Sequence, residues 1–314
     1  MPHDFQSALM NDDLESVRRC PKSDLHNHFI FGGERDFLFQ RTGRNIAPLN
    51  RRLKSIAEMH AWVNESVGGL FDTREGRLLA FEATFMQAKH DGVTRLEIGE
   101  DVWAITLNNG SAEELTHRLK ELHRNTAPEV EWIPQLGLSR HCSLKDLEPW
   151  LAPFLELNFY RTLDLSGDEF AQPINVFKSL YRKAKAAGLR LKAHVGEWGT
   201  ADDVWRAVDE LELDEVQHGI AAAESPSVMR FLADHGIRLN VCPTSNVMLG
   251  RIDDLASHPI RKLYDAGVQV TINTDDQLIF GRSVSEEFLD LYRAGVFTAA
   301  ELDEIRFNGL REDA

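Results

Sequence analysis

The sequence predicts a closed (β/α)8 barrel, a TIM barrel with a metal site at the C-terminal ends of its strands. Two observations carry this. Eight apolar or β-branched runs each lead into a helical pattern, at 23–29, 94–99, 131–138, 160–166, 189–194, 215–218, 238–243 and 269–274. Polar residues then close several of these runs: His26-Asn27-His28, Gly167-Asp168-Glu169, His194-Val195-Gly196-Glu197, Gln217-His218-Gly219 and Thr274-Asp275-Asp276. A fold that gathers successive strand ends on one rim brings such distant segments into a single site.

The connecting helices follow from apolar positions at a 3.6-residue period, as in Leu78, Leu79, Phe81, Phe85 and Met86, or Val204, Ala207, Val208 and Leu211. Ser111, Thr200 and Thr298 precede acidic residues at capping distance, so their side chains can take up free N–H groups at helix starts. Asp91-Gly92, Ala187-Gly188, His235-Gly236 and Ala266-Gly267 end helices. The rhythm repeats without a linker, so 1–314 is expected to be one domain. The exception is 31–93, too long for one helix and its connections, which is expected to be a lid-like insertion after the first strand. Its first part, 31–54, is basic, with Arg35, Arg41, Arg44, Arg51, Arg52 and Lys54, and reads as a solvated face or an anion-contacting lid.

A net charge of −15 argues against affinity for nucleic-acid phosphates and favours a small-molecule substrate. The N-terminal 20 residues lack the apolar core of a signal peptide, and no run approaches a membrane span, so a cytoplasmic protein without membrane partners is expected. Cys20, Cys142 and Cys242 show no paired metal spacing and read as structural thiols.

The chemistry lies in the histidines and acids. His26 and His28 are two apart on a strand and project together, whereas Asn27 should face the helix layer and need a partner there. His194 closes the fifth run and supplies a third imidazole. Adjacent Asp275 and Asp276 repel unless a cation or hydrogen bonds hold them, and one of them on a metal resolves that. Three imidazoles, one carboxylate and an open position suit one Zn²⁺, whose bound water ionises near pH 7, although iron, cobalt and manganese share this donor set. Glu197 follows the flexible Gly196 toward the same cavity, where burial could let it hold a proton near neutral pH. His218 ends the sixth run. Trp103, Ser139, Arg140, His141 and Trp198 are candidate lining residues, and Arg140 could meet an anion, although pairing at the surface is the plainer reading. His3, His60, His90, His117, His123 and His235 have no partner pattern and read as surface or packing residues.

Taken in order, Leu25-His26-Asn27-His28, 164–169, His194-Val195-Gly196-Glu197, His218-Gly219, 242–246, His258-Pro259 and 273–276 resemble the adenosine deaminase family of the amidohydrolase superfamily. The resemblance implies that His26, His28, His194 and Asp275 bind zinc, and that Glu197 protonates the ring nitrogen beside the amine-bearing carbon. It implies that His218 orients the attacking water, with Asp275 also in the catalytic set, and that Gly167, Asp276 and His28 contact an aminopurine. His258 is expected to position a loop. The expected reaction is hydrolytic removal of an exocyclic amine, with adenosine the first candidate substrate. One departure stands out: where the family carries an acidic sugar contact, this chain has Ile30. That favours, as the alternative, adenine, an N6-substituted purine or a pterin-like amino-heterocycle. A barrel that binds without turnover would have no need of the complete set of polar residues.

Overall fold

The computed structural model describes residues 4–47 and 49–311. Eight parallel strands pair in chain order: β1 Lys22–Asp24, β2 Val93–Asp101, β3 Glu131–Ser139, β4 Thr162–Ser166, β5 Arg190–Val195, β6 Glu215–His218, β7 Arg238–Val241 and β8 Val270–Ile272. Helices cover the outside of the ring, and the fold is the expected (β/α)8 barrel. Thr200 and Thr298 form capping boxes with Asp203 and Glu301, and Ser111 accepts from Glu114 N–H. No helix among the described residues is long and apolar enough to cross a membrane.

The first and last strands are shorter than expected. β1 stops at Asp24 and β8 at Ile272, because side chains replace the ladder beyond these points. Asp24 accepts from Asn27 Nδ2 at 3.0 Å and from Thr274 Oγ1 at 2.5 Å, while Leu25 N–H donates to Asn273 Oδ1 at 2.8 Å. Asn27 thus finds its partners at the seam with β8. There Asp275 N–H donates to His26 O at 2.9 Å and His28 N–H to Asp275 O at 3.0 Å, which closes the ring.

Inside the barrel below this rim, fully buried Lys192 lies 2.6 Å from Glu97 Oε2 and 3.1 Å from Glu215 Oε2, and its ammonium also donates to Leu25 O. Arg238 and Arg190 complete the neutralisation of Glu215. Paired and hydrogen-bonded charges of this kind avoid the large penalty of a lone buried ion.

The segment after β1 carries helices Arg35–Thr42, Ile56–Ser66 and Arg74–His90. The last of these packs on β2. Its Phe81 is fully buried and stacks on Phe29 at 3.9 Å, so the helix pins the chain immediately after His28. Four of the six basic residues before it are committed elsewhere: Arg41 pairs with Glu82, Arg51 with Glu58, Arg52 bonds Asp253 O, and Arg35 bonds Leu278 O and Ile279 O.

Truncating Phe81 to Ala removes a buried aromatic from this cluster and is expected to cost about 3–5 kcal/mol, read as a lower midpoint in urea unfolding. A loss under about 1 kcal/mol would show that Phe29 and its loop are held by other contacts.

Candidate active site

The rim brings together the residues singled out in the sequence. His26, His28 and Asp275 stand at the β1–β8 seam, His194 near the end of β5, and His218 at the end of β6. His218 and Asp275 adopt left-handed backbone, with φ of 62° and 61°. Non-glycine residues rarely occupy this region, and the barrel holds two at one site.

Polar contacts at the Nδ1 atoms orient the rings. His26 Nδ1 donates to Asn240 O at 2.9 Å, and His194 Nδ1 faces Asp164 Oδ2 at 3.1 Å. Their Nε2 lone pairs therefore point at each other, 3.0 Å apart, with His28 Nε2 3.1 Å from His194 Nε2. Asp275 Oδ1 joins them, 3.2 Å from His28 Nε2 and 3.5 Å from His26 Nε2. Converging lone pairs of this kind suit a cation at their centre, and these four side chains form a group able to hold a metal ion. The same demand appears in the titration of His28. Burial lowers its pKa, but Asp275, Asp276 and Asp164 overcome this and raise it to about 10. His26 is held neutral by burial and by the neighbouring imidazoles.

Cys242 also lies near His26, His218 and Asp275, but burial first, and then Asp275, push its thiol well above the ordinary range. It stays a protonated, packed side chain, as expected of a structural thiol.

Two further acids face the cavity in a different state. Burial, reinforced by Asp275 and Glu169, raises Glu197 well above the usual carboxylate range, and its Oε1 has no partner. Burial and Asp275 raise Asp276 to about 8, and its Oδ1 is likewise free. Asp275 itself is held well below the usual range, because His28, His218 and His26 outweigh its burial. Of these three acids, one is shifted toward the ionised form and two toward the protonated form.

His218 has a defined tautomer. Ile260 N–H donates to His258 Nδ1 at 3.1 Å, so His258 Nε2–H donates to Asn246 Oδ1 at 3.3 Å. Asn246 Nδ2 then donates to His218 Nδ1 at 3.2 Å. The proton of His218 is left on Nε2, which looks toward Glu197 Oε2 at 3.7 Å and Asp275 Oδ2 at 3.9 Å. Burial lowers the His218 pKa to about 3, so the ring stays neutral. The expectation that His258 positions a loop gains a specific content: it orients Asn246.

Several supporting residues had no assignment from the sequence. The Glu169 carboxylate accepts from the N–H groups of Gly196, Glu197 and Trp198 at 2.8, 2.9 and 2.7 Å and so sets the turn that carries Glu197. Ser245 donates to Asp275 Oδ2 at 2.5 Å. The only signals for Ser245 and Asn246 were their places in the 242–246 motif. Arg140 differs from expectation: it is buried, donates to Glu169 O and His194 O, and does not line the cavity. Trp103 and Trp198 also turn away from it, whereas Ser139, His141 and Gly167 line it. His60, expected at the surface or in packing, lines the mouth with Ile56 and Met59. His3 lies outside the described residues. The cavity, about 320 Å³, is a small-molecule site by size.

A barrel rim that joins three imidazoles and a carboxylate beside a protonated acid defines a hydrolase of the amidohydrolase type. The family model for adenosine deaminase matches residues 142–314. A provisionally assigned adenosine/adenine deaminase of Treponema pallidum is 35% identical over 285 residues, covering 91% of this chain and 95% of that one. The chain belongs to the adenosine deaminase family, hydrolases that act on carbon–nitrogen bonds. Among solved structures, adenine deaminase from Arthrobacter aurescens superposes with a TM-score of 0.79 at 26% identity, covering 93% of each chain. An amidohydrolase from Burkholderia ambifaria with bound Zn superposes at 0.78 and 22% identity, covering 95% of this chain and 87% of that one.

Replacing Glu169 by Ala strands three N–H groups of the 196–198 turn. The expected result is a loss of about 2–4 kcal/mol in unfolding free energy and faster amide exchange at Gly196 and Glu197. Unchanged exchange there would mean that the turn holds itself.

Proposed function

We propose that this chain is a zinc-dependent deaminase that hydrolyses the exocyclic amine of an aminopurine and releases ammonia. The observation that carries the reading is the convergence of four ligand atoms beside a buried, protonated Glu197. His26, His28, His194 and Asp275 would hold the zinc, a donor set of nitrogens and one oxygen that suits it. Bound there, zinc supplies a Lewis acid and a water that ionises near neutral pH.

The chain's own residues do the rest. Glu197 delivers its proton to the ring nitrogen next to the amine-bearing carbon, so the ring can accept a nucleophile without building up negative charge. His218, with Nε2–H fixed by Asn246, donates to the attacking oxygen and steadies it as the carbon becomes tetrahedral. Asp276, protonated and unpartnered, and the Gly167 backbone hold the far ring atoms. The two protons of the attacking water balance the step: one restores the Glu197 carboxyl and the other passes to the amine, which leaves as ammonia as the tetrahedral carbon collapses to the oxo product.

Adenosine and adenine are the first two candidate substrates. Ile30 lies with Phe31, Ile56 and Met59 on the cavity wall, and this apolar side favours the reading that the substrate lacks the usual sugar contact there. The helices of 31–73 supply the mouth residues Ile56, Met59 and His60, and in this reading 1–314 is one catalytic domain whose lid comes from that insertion.

The Glu197→Gln variant should keep its metal and lose roughly 10²–10⁴-fold in kcat for ammonia release. Near-normal turnover would remove Glu197 from the role of acid. Asn246→Asp presents an acceptor to His218 Nδ1 and reverses the tautomer. We expect kcat to fall at least ~10-fold with KM and metal content little changed, and the ¹⁵N shifts of His218 to exchange between the two ring nitrogens. Retained shifts together with retained kcat would refute the relay.

A further inference from the structure

One part of the cavity has no use in the reaction just described. It lies along β2 and β3, away from the elements that carry Glu197, His218 and Asp275. Gly99 and Asp101 on β2, and Gln135, Gly137 and Ser139 on β3, all line it. They are spaced two apart, so they point to the same inner face. The strand register sets Gly99 beside Gln135 and Asp101 beside Gly137. The missing side chain of Gly137 makes room for Asp101 Oδ1, and that of Gly99 for the backbone of Gln135.

The floor of this recess is Gln135, only 8% exposed, and its Nε2 has no hydrogen-bond partner. A buried amide nitrogen left unpaired costs about 1–3 kcal/mol, which calls for a partner from outside the chain. Asp101 forms the wall above. Its Oδ2 accepts from Trp103 Nε1 at 3.1 Å, and its Oδ1 projects over Gly137, where an added Cβ would collide with it. No Lys or Arg lines the cavity.

We propose that Gln135 and Asp101 form a specificity subsite for the substrate edge remote from the leaving amine. It takes an uncharged group that both donates and accepts hydrogen bonds, and it excludes a phosphate. A carboxamide offers one donor face and one acceptor face, and an ionised carboxylate accepts only, so the matching group carries at least one N–H or O–H. A phosphate here would face the Asp101 carboxylate, whose neighbouring cation, Arg77 at 3.8 Å from Oδ2, is already bound to the buried Glu100 and does not line the cavity. Two sources fit this chemistry: the N/N–H edge of a free base, or the hydroxyls of a sugar attached to it. The inference rests on the aminopurine reading above.

The test uses the full-length, metal-loaded chain and the variants Gln135→Leu, Asp101→Asn and Gly137→Ala. The last crowds Asp101 Oδ1 and so disturbs the subsite without removing a polar group of its own. Ammonia release is measured with adenine, 9-methyladenine, adenosine and adenosine monophosphate, and calorimetry follows binding of hypoxanthine and inosine. The expected result is that the monophosphate is the poorest substrate. Gln135→Leu and Gly137→Ala should raise KM for the preferred substrate by roughly 10-fold or more, with kcat and metal content little changed.

Adenine preferred over 9-methyladenine, with that preference lost in Asp101→Asn, identifies a free-base edge. Adenosine preferred over 9-methyladenine, with the preference lost in the variants, identifies sugar hydroxyls. Unchanged KM in folded Gln135→Leu and Gly137→Ala, or preference for the monophosphate, overturns the subsite while the deaminase reading stands. If the wild type releases no ammonia from any aminopurine, the deaminase reading fails. The subsite is then judged by calorimetry alone: it survives if the variants weaken hypoxanthine or inosine binding, and falls if binding is absent or unchanged.

Discussion

The site depends on how the barrel closes. Seven strand pairs are ordinary parallel ladders, but the eighth joint, between the ends of β1 and β8, is made by His26, His28 and Asp275 through their backbone groups. The Asp24–Asn27–Thr274 cluster below locks the same joint. Closing the ring and assembling the imidazole–carboxylate group are therefore one event. A slip of one residue at this seam would turn His26 and His28 to the other face and open the barrel.

Charge then sorts the acids around that joint. Asp275, Asp276 and Glu197 share a small buried volume, where three negative charges cannot coexist. Asp275 is in contact with the imidazoles and is held low, and its charge, added to burial, pushes Asp276 and Glu197 upward. The upward shift of Glu197 is thus in part a consequence of the carboxylate that faces the imidazoles. One residue sorts the charges of the whole cluster, as in other sites where paired carboxylates are driven apart in pKa by their surroundings.

The sequence was most readable where physics acts locally. Strand and helix alternation, capping residues and glycine stops depend on neighbours a few positions away, and β2 to β7 lie close to the runs marked by apolar pattern. The histidines were readable as a set because each stands at or just beyond a strand's end. The strand ends at the seam were not, because Asp24, Asn27 and Thr274 compete with the ladder through contacts some 250 positions apart. Arg140 was misread for a related reason. Nothing local reveals that its guanidinium turns inward to the carbonyls of Glu169 and His194 instead of outward to an anion.

Arg140 and Glu169 also show how the unread residues act. Arg140 ties the β4 loop to the end of β5, and the Glu169 carboxylate from that loop gathers the three N–H groups of the turn after His194. Arg251 grips the Glu197 carbonyl from the opposite side and stacks on Trp198. Glu197 therefore stands on a backbone fixed from two directions, while its own carboxyl keeps an unpartnered oxygen toward the cavity. A fixed backbone under an unsatisfied buried acid is preorganisation in physical terms. The bonds that would otherwise form when a ligand arrives are already made in the backbone, and the one bond withheld is at a carboxyl oxygen of a residue that lines the cavity.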